Sequence, residues 1–146
     1  MPTPEETKEI VRRFDQEVFN AHDLDAADRM IADDFVEHEE LPPGMPGGKA
    51  GVLALFEHMF KAFPDLTTEI RHLVASEDKV AIHSTMRGTD EGGFMPGMPA
   101  TGKTFEIGAM DIVRVGDDGR LVEHWGFIDV MSAMIQLGHM PPPPSM

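Results

Sequence analysis

Apolar positions in the first part of the chain recur at helical spacing. Ile10, Val11, Phe14 and Val18 fall on one stripe. Before it stands Thr3-Pro4-Glu5-Glu6, with an N-cap Thr, Pro at the first helical position and Glu three residues after the cap. Asn20 to Asp23 interrupts the pattern, and Leu24, Ala27, Met30 and Ile31 mark a short second helix. Phe35 to Glu40 reads as a brief extended piece, and the Pro/Gly-rich stretch from Leu41 to Gly48 as a loop. Val52, Phe56, Met59, Phe60 and Phe63 then form a third helical stripe, which Pro64 stops.

Beyond Pro64 the period changes to that of strands. Leu66 to Ala75, Lys79 to Gly88, Thr104 to Val115 and Leu121 to Asp129 are predicted strands. A Gly/Pro/Met loop from Thr89 to Gly102 separates the second from the third. Val130 to Leu137 is a short closing helix, and "HMPPPPSM" can form neither helix nor sheet. Helices first and antiparallel strands later predict an α+β fold, with helices packed on one face of a sheet. At 146 residues the expected organisation is one domain, 1–138, followed by a Pro-rich tail, 139–146.

Composition narrows the partners. The net charge of −14 opposes binding to phosphate backbones and anionic membranes, so neither nucleic acid nor membrane is an expected partner. No cysteine is present, which removes disulfides, thiol nucleophiles and thiolate metal sites. No apolar run reaches the roughly 20 residues of a membrane span, and the acidic N-terminus is unlike a secretory signal. The expected location is the cytoplasm. The 12 Met and absence of Tyr suggest an adaptable interior.

One stretch invites a specific chemistry. Gly97 to Thr104, "GMPATGKT", fits the phosphate-cradling pattern G-x-x-x-x-G-K-T. That cradle needs a strand before it and a helix N-terminus after it. Here a loop precedes, and Phe105, Ile107, Ala109, Val113 and Val115 continue with period two. A strand follows instead of a helix, and nucleotide binding is not expected.

The last hairpin gathers polar groups. With Asp117-Asp118 as its tip, Asp111 faces His124 directly. With Asp118-Gly119, Asp111 faces Gly126 and lies diagonal to His124, about 7–8 Å away. Both two-residue loops put Asp111 and His124 on one face with Ile107, Ala109, Val113, Val122, Gly126 and Ile128; a three-residue loop would separate them. A carboxylate beside an imidazole can orient the ring and raise its pKa. The same pair could equally be two polar groups satisfying each other near the core. The opposite face carries Met110, Ile112, Glu123, Trp125, Phe127 and Asp129 and reads as an apolar interface with charged edges. His38 sits among acids in "FVEHEEL". His83 and Arg87 share a face of the second strand that cannot be assigned. No metal-binding motif and no G-x-S-x-G elbow occurs.

These residues resemble the SnoaL-like polyketide cyclases, within the nuclear transport factor 2-like superfamily. The resemblance spans about residues 5–140 and rests on "DDFVEHEEL", "AFPDL", "GTDEGGFMPGMPATGKTF" for the family's G-T-H-x-G-x-F-x-G-x-P-P-T-G loop, and "GRLVEHWGFIDVMSAMIQLG". It implies a cone-shaped α+β barrel, whose curved antiparallel sheet wraps an apolar pocket closed by the N-terminal helices. It also implies a homodimer or higher homo-oligomer, and aldol-type ring closure without metal or organic cofactor. The acid/base aspartate of those cyclases falls on Gly126, the histidine of the neighbouring strand on Asp111, and the loop histidine on Asp90. His124 matches a histidine.

The expectation is therefore an enzyme doing acid/base chemistry, cyclisation or isomerisation, on an apolar carbonyl-bearing, polyketide-like substrate. Asp111 would be the base, and His124 would hold it or protonate the developing enolate. His38, Ala109, Gly126, Phe14 and Phe60 are expected to line the pocket. The alternatives are a non-catalytic small-molecule binding protein and a limonene-type epoxide hydrolase, whose Arg-x-Asp step occurs on none of the predicted strands.

Overall fold

A computed structural model describes residues 2–144. Met1 and the last two residues of the expected tail, Ser145 and Met146, lie outside the described residues.

Helix α1, Pro4–Phe14, begins as its sequence dictates: the Thr3 hydroxyl accepts from the Glu6 N–H at 3.2 Å. Such a cap contributes about 1 kcal/mol. The helix runs into a π-helical segment, Asp15–Asn20, of the kind frequent near functional sites. Helix α2, Leu24–Met30, is capped by Asp23. Ile31 leaves the helix and opens strand β1, Ile31–Glu37. Helix α3 spans Gly48–Ala62. Strands β2 (Thr67–Ser76), β3 (Lys79–Thr89), β4 (Thr104–Val115) and β5 (Leu121–Ile128) follow, then helix α4, Val130–Gln136.

The sheet order is β1-β5-β4-β3-β2. The last four strands pair antiparallel, as expected. The short extended piece becomes the edge strand β1 and pairs parallel with β5, so the sheet is mixed. It is also open, an α+β architecture consistent with the cone fold. No helix among the described residues is long and apolar enough to cross a membrane.

The β4–β5 connection departs from both two-residue readings. Gly116 N–H donates to the Arg120 carbonyl at 2.8 Å, leaving a three-residue loop, Asp117-Asp118-Gly119. Gly119 takes φ +81°, which suits a residue without Cβ. Such a loop alone would put Asp111 and His124 on opposite faces. A bulge corrects this: Val115 pairs with Leu121 and Arg114 with Glu123, so Val122 is the extra residue. Asp111 then faces Gly126, and Val113 faces His124. Leu121, not Val122, takes the inward place on that face.

Two apolar clusters form the core. One joins Phe14, Val18, Ile31, Phe35, Val52 and Phe56 to the loop end of the β4–β5 hairpin. The other gathers Phe63, Leu66, Met86, Phe94, Phe105 and Leu137. The Gly/Pro/Met loop belongs to the second. Its organiser is Asp90, fully buried. Asp90 accepts from Gly93 N–H at 2.8 Å, and from the N–H and hydroxyl of Thr101 at 3.1 and 3.2 Å. "GMPATGKT" is thus loop up to Gly102 and strand from Thr104, with no helix after it.

Candidate active site

A cavity of about 210 Å³ takes its wall from both clusters. Phe14, Phe35, Val52, Phe56, Phe63 and Met86 are among its apolar lining. Strand alternation sets which residues of the sheet reach it. From β3, Ile82, Ser84 and Met86 point inward, which leaves His83 and Arg87 on the outer face. There Arg87 pairs with Glu69 and Glu106, and the His83 ring stacks on His72.

His124 is the centre of the polar end. Its Nε2 lies 2.7 Å from Asp111 Oδ1 and its Nδ1 2.6 Å from Glu37 Oε1. The Glu37 side chain is only 6% exposed, that of His124 17% and that of Asp111 23%. Burial by itself favours a neutral ring. The hydrogen bonds to Asp111 and Glu37, and the charges of both, outweigh it and push the His124 pKa up to about 10. The ring is therefore an imidazolium at neutral pH, donating from both nitrogens.

Gly126 makes this contact possible. A Cβ there would overlap Asp111 Oδ1 and come within 2.7 Å of His124 Nε2. A side chain at 126 and the Asp111–His124 hydrogen bond thus exclude each other. Gly126 leaves this space without a side chain, and the carboxylate of Asp111 on the facing strand occupies it.

Of the expected lining residues, Phe14, Ala109, Asp111 and His124 are on the wall, with Gly126 against the pair. Two are not. His38 belongs to the outer face, because β1 alternates and Phe35 and Glu37 point inward. Its ring stacks on Trp125 with centroids 4.7 Å apart, and its Nε2 lies 2.6 Å from Glu123 Oε2. Phe60 packs behind the lining, stacked on His22 at 4.6 Å and edge-on to Phe19.

The sequence reading missed Glu37, Glu39 and Asp15. The signal for the first two was present: Phe35, Glu37 and Glu39 share parity, and a buried Phe sets their common face. Glu39 also lines the cavity. Burial, reinforced by Asp111 and Glu37 and opposed by His124, raises its pKa to about 7. Asp15 lies on the π-helical segment and accepts from the Thr68 hydroxyl and from Asn20. Burial raises its pKa against both hydrogen bonds.

Glu37, Glu39 and His124 each offer one ligand atom within 4.8 Å of the others, and could hold a metal ion. Both ring nitrogens of His124 already serve carboxylates, so an ion would have to displace one of them.

A search of the curated proteins returns no match by sequence. Solved structures do match. IdmH, a polyketide cyclase candidate from Streptomyces antibioticus, is 35% identical, with TM-score 0.75, over 90% of this chain and 98% of its own. AclR, a hydroxylase candidate from Streptomyces galilaeus, is 30% identical, with TM-score 0.82, over 97% and 87%. TsrD from Streptomyces laurentii shares the fold at TM-score 0.83 and 24% identity, over 96% and 100%. The family model of the SnoaL-like polyketide cyclases matches residues 9–137, nearly the whole of the described chain. The protein belongs to the SnoaL-like polyketide cyclase family.

Proposed function

We propose that the protein is an acid/base enzyme acting on an apolar, carbonyl-bearing, polyketide-like substrate. The reaction is proton abstraction next to a carbonyl, followed by aldol-type cyclisation or isomerisation. The observation that carries this reading is Asp111 in the cavity wall, held through Oδ1 by a charged His124. Asp111 Oδ2 takes no hydrogen bond among the described residues and is free to act as the base. His124 has no free N–H to offer a substrate. Its role is to fix Asp111 and to offset negative charge, rather than to protonate an enolate. The chemistry uses side chains alone, without metal or organic cofactor.

Asp111→Asn is expected to lower turnover of a cyclisable polyketide methyl ester at least 100-fold, with an unchanged far-UV circular dichroism spectrum. An unaffected rate would remove Asp111 from the mechanism. A tightly bound apolar ligand that the wild-type protein never converts would favour a binding protein.

For assembly, we propose a homodimer through the outer face of β4 and β5. Met110 faces Phe127 there, and Ile112 faces Trp125. Phe127 is 80% exposed and Met110 56%, which favours a second copy as cover.

A further inference from the structure

Glu39 is an acidic side chain of the cavity to which this reading gives no task. Glu39 lies two residues past β1. Glu37 from β1, Asp111 from β4 and His124 from β5 act on it. The π-helical segment brings Asp15 to the same wall, the loop brings Glu40, and α1 and α3 bring no titratable group. Glu39 N–H donates to Glu37 Oε1 at 2.9 Å. Its own carboxyl takes no hydrogen bond among the described residues, although it stands within 4.8 Å of the ligand atoms of Glu37 and His124.

We infer that Glu39 is the catalytic acid of this site, donating a proton to the substrate oxygen on which charge develops while Asp111 removes the carbon-bound proton. The inference rests on the acid/base reading above and divides its labour. Glu37 and Asp111 are both fixed to His124, and His124 spends both N–H groups on them. Glu39 is the group of this cluster that lines the cavity with a carboxyl taking no hydrogen bond among the described residues. Its environment keeps the carboxyl proton near neutrality: burial dominates, the two carboxylates add to it, and the imidazolium only partly opposes them.

The step balances. The substrate C–H bond breaks and its proton passes to Asp111 Oδ2, leaving the electron pair on the enolate. The Glu39 O–H bond breaks and its proton goes to the oxygen, either of the enolate or of the carbonyl that the enolate carbon attacks. Asp111 then holds one proton and Glu39 has lost one. Transfer from Asp111 to Glu39, directly or through water, restores both. No oxidant or reductant takes part.

The test uses 2-tetralone, an apolar enolisable ketone, and follows exchange of its α-protons for deuterium by NMR. Wild-type protein is expected to accelerate exchange, and Asp111→Asn to abolish it. Glu39→Gln, nearly isosteric, is expected to lower the rate at least 100-fold and to remove the decline of rate above pH about 7. Glu39→Asp, which keeps an acid, is expected to restore part of it. Carboxyl carbon NMR of labelled protein, assigned by difference from Glu39→Gln, is expected to show Glu39 titrating near pH 7. Glu39→Gln exchanging within twofold of wild type, while Asp111→Asn is inactive, overturns Glu39 and leaves the Asp111 reading standing. So does a Glu39 carboxyl titrating near 4.5. No acceleration by the wild type overturns both.

Discussion

Gly126→Ala tests the geometry of the site with a single methyl group. In an ordinary strand the change helps, because Gly loses about 0.5–1 kcal/mol more backbone entropy than Ala on folding. At 126 the new Cβ overlaps Asp111 Oδ1 and crowds His124 Nε2. The smallest response is rotation of Asp111 away from the ring. That forfeits a hydrogen bond to a charged group, about 1.5–3 kcal/mol, and leaves a partly buried imidazolium with one partner instead of two. We expect a net loss of about 2–3 kcal/mol at pH 6, measured by urea denaturation. The His124 pKa, followed by imidazole NMR, should fall. The pH dependence carries the sign. The folded-state pKa, about 10, is raised above the unfolded value of 6.5. The stabilisation is therefore complete below pH 6.5 and lost as pH rises through about 10. The gap between wild type and Gly126→Ala should close over that window. Gly108→Ala, on β4, is the control. Its Cβ would meet nothing within 4 Å, and the change should be neutral or mildly stabilising. If Gly126→Ala keeps both its stability at pH 6 and its His124 titration, the exclusion between position 126 and the pair is wrong.

Two further outcomes are expected. Asp90→Ala strands the buried N–H of Gly93 and the part-buried N–H of Thr101 and should cost about 3–5 kcal/mol. Asp90→Asn keeps one acceptor and should cost less, both read by urea denaturation. Phe127→Lys places a charge on the proposed dimer face and should shift the sedimenting species to monomer. An unchanged mass would move the interface elsewhere.

The elements that local patterning controls were legible in the sequence. Thr3 caps α1, and period two marks β4 and β5, because each signal is carried within a few residues. The shared face of Asp111 and His124 was legible for an incomplete reason. The loop is three residues, and the bulge at Val122 restores the register that the loop would spoil. Bulges leave little trace in one sequence. Glu37 was hidden by its composition. Among neighbouring acids it reads as solvated surface, although its parity with Phe35 marks the inward face that it takes in β1. His38 was misread by the same step, since neighbours in a strand face opposite sides. Phe60 lay on a correct stripe, but a helix stripe is wider than the cavity it helps to close.

The β1–β5 pairing also has a bearing on how the site comes into being. Glu37 and His124 stand 87 residues apart in the chain. By contrast, the β4–β5 hairpin that joins Asp111 to His124 closes over 13. Long closures are slow to form and local ones fast. Half of the cluster is therefore a product of local folding, and the other half waits for the two ends of the domain to meet. A nascent chain that has not yet released β5 holds Glu37 without its histidine. The full cluster on His124 requires β1 to have paired with β5, and its appearance during refolding would time that long-range contact.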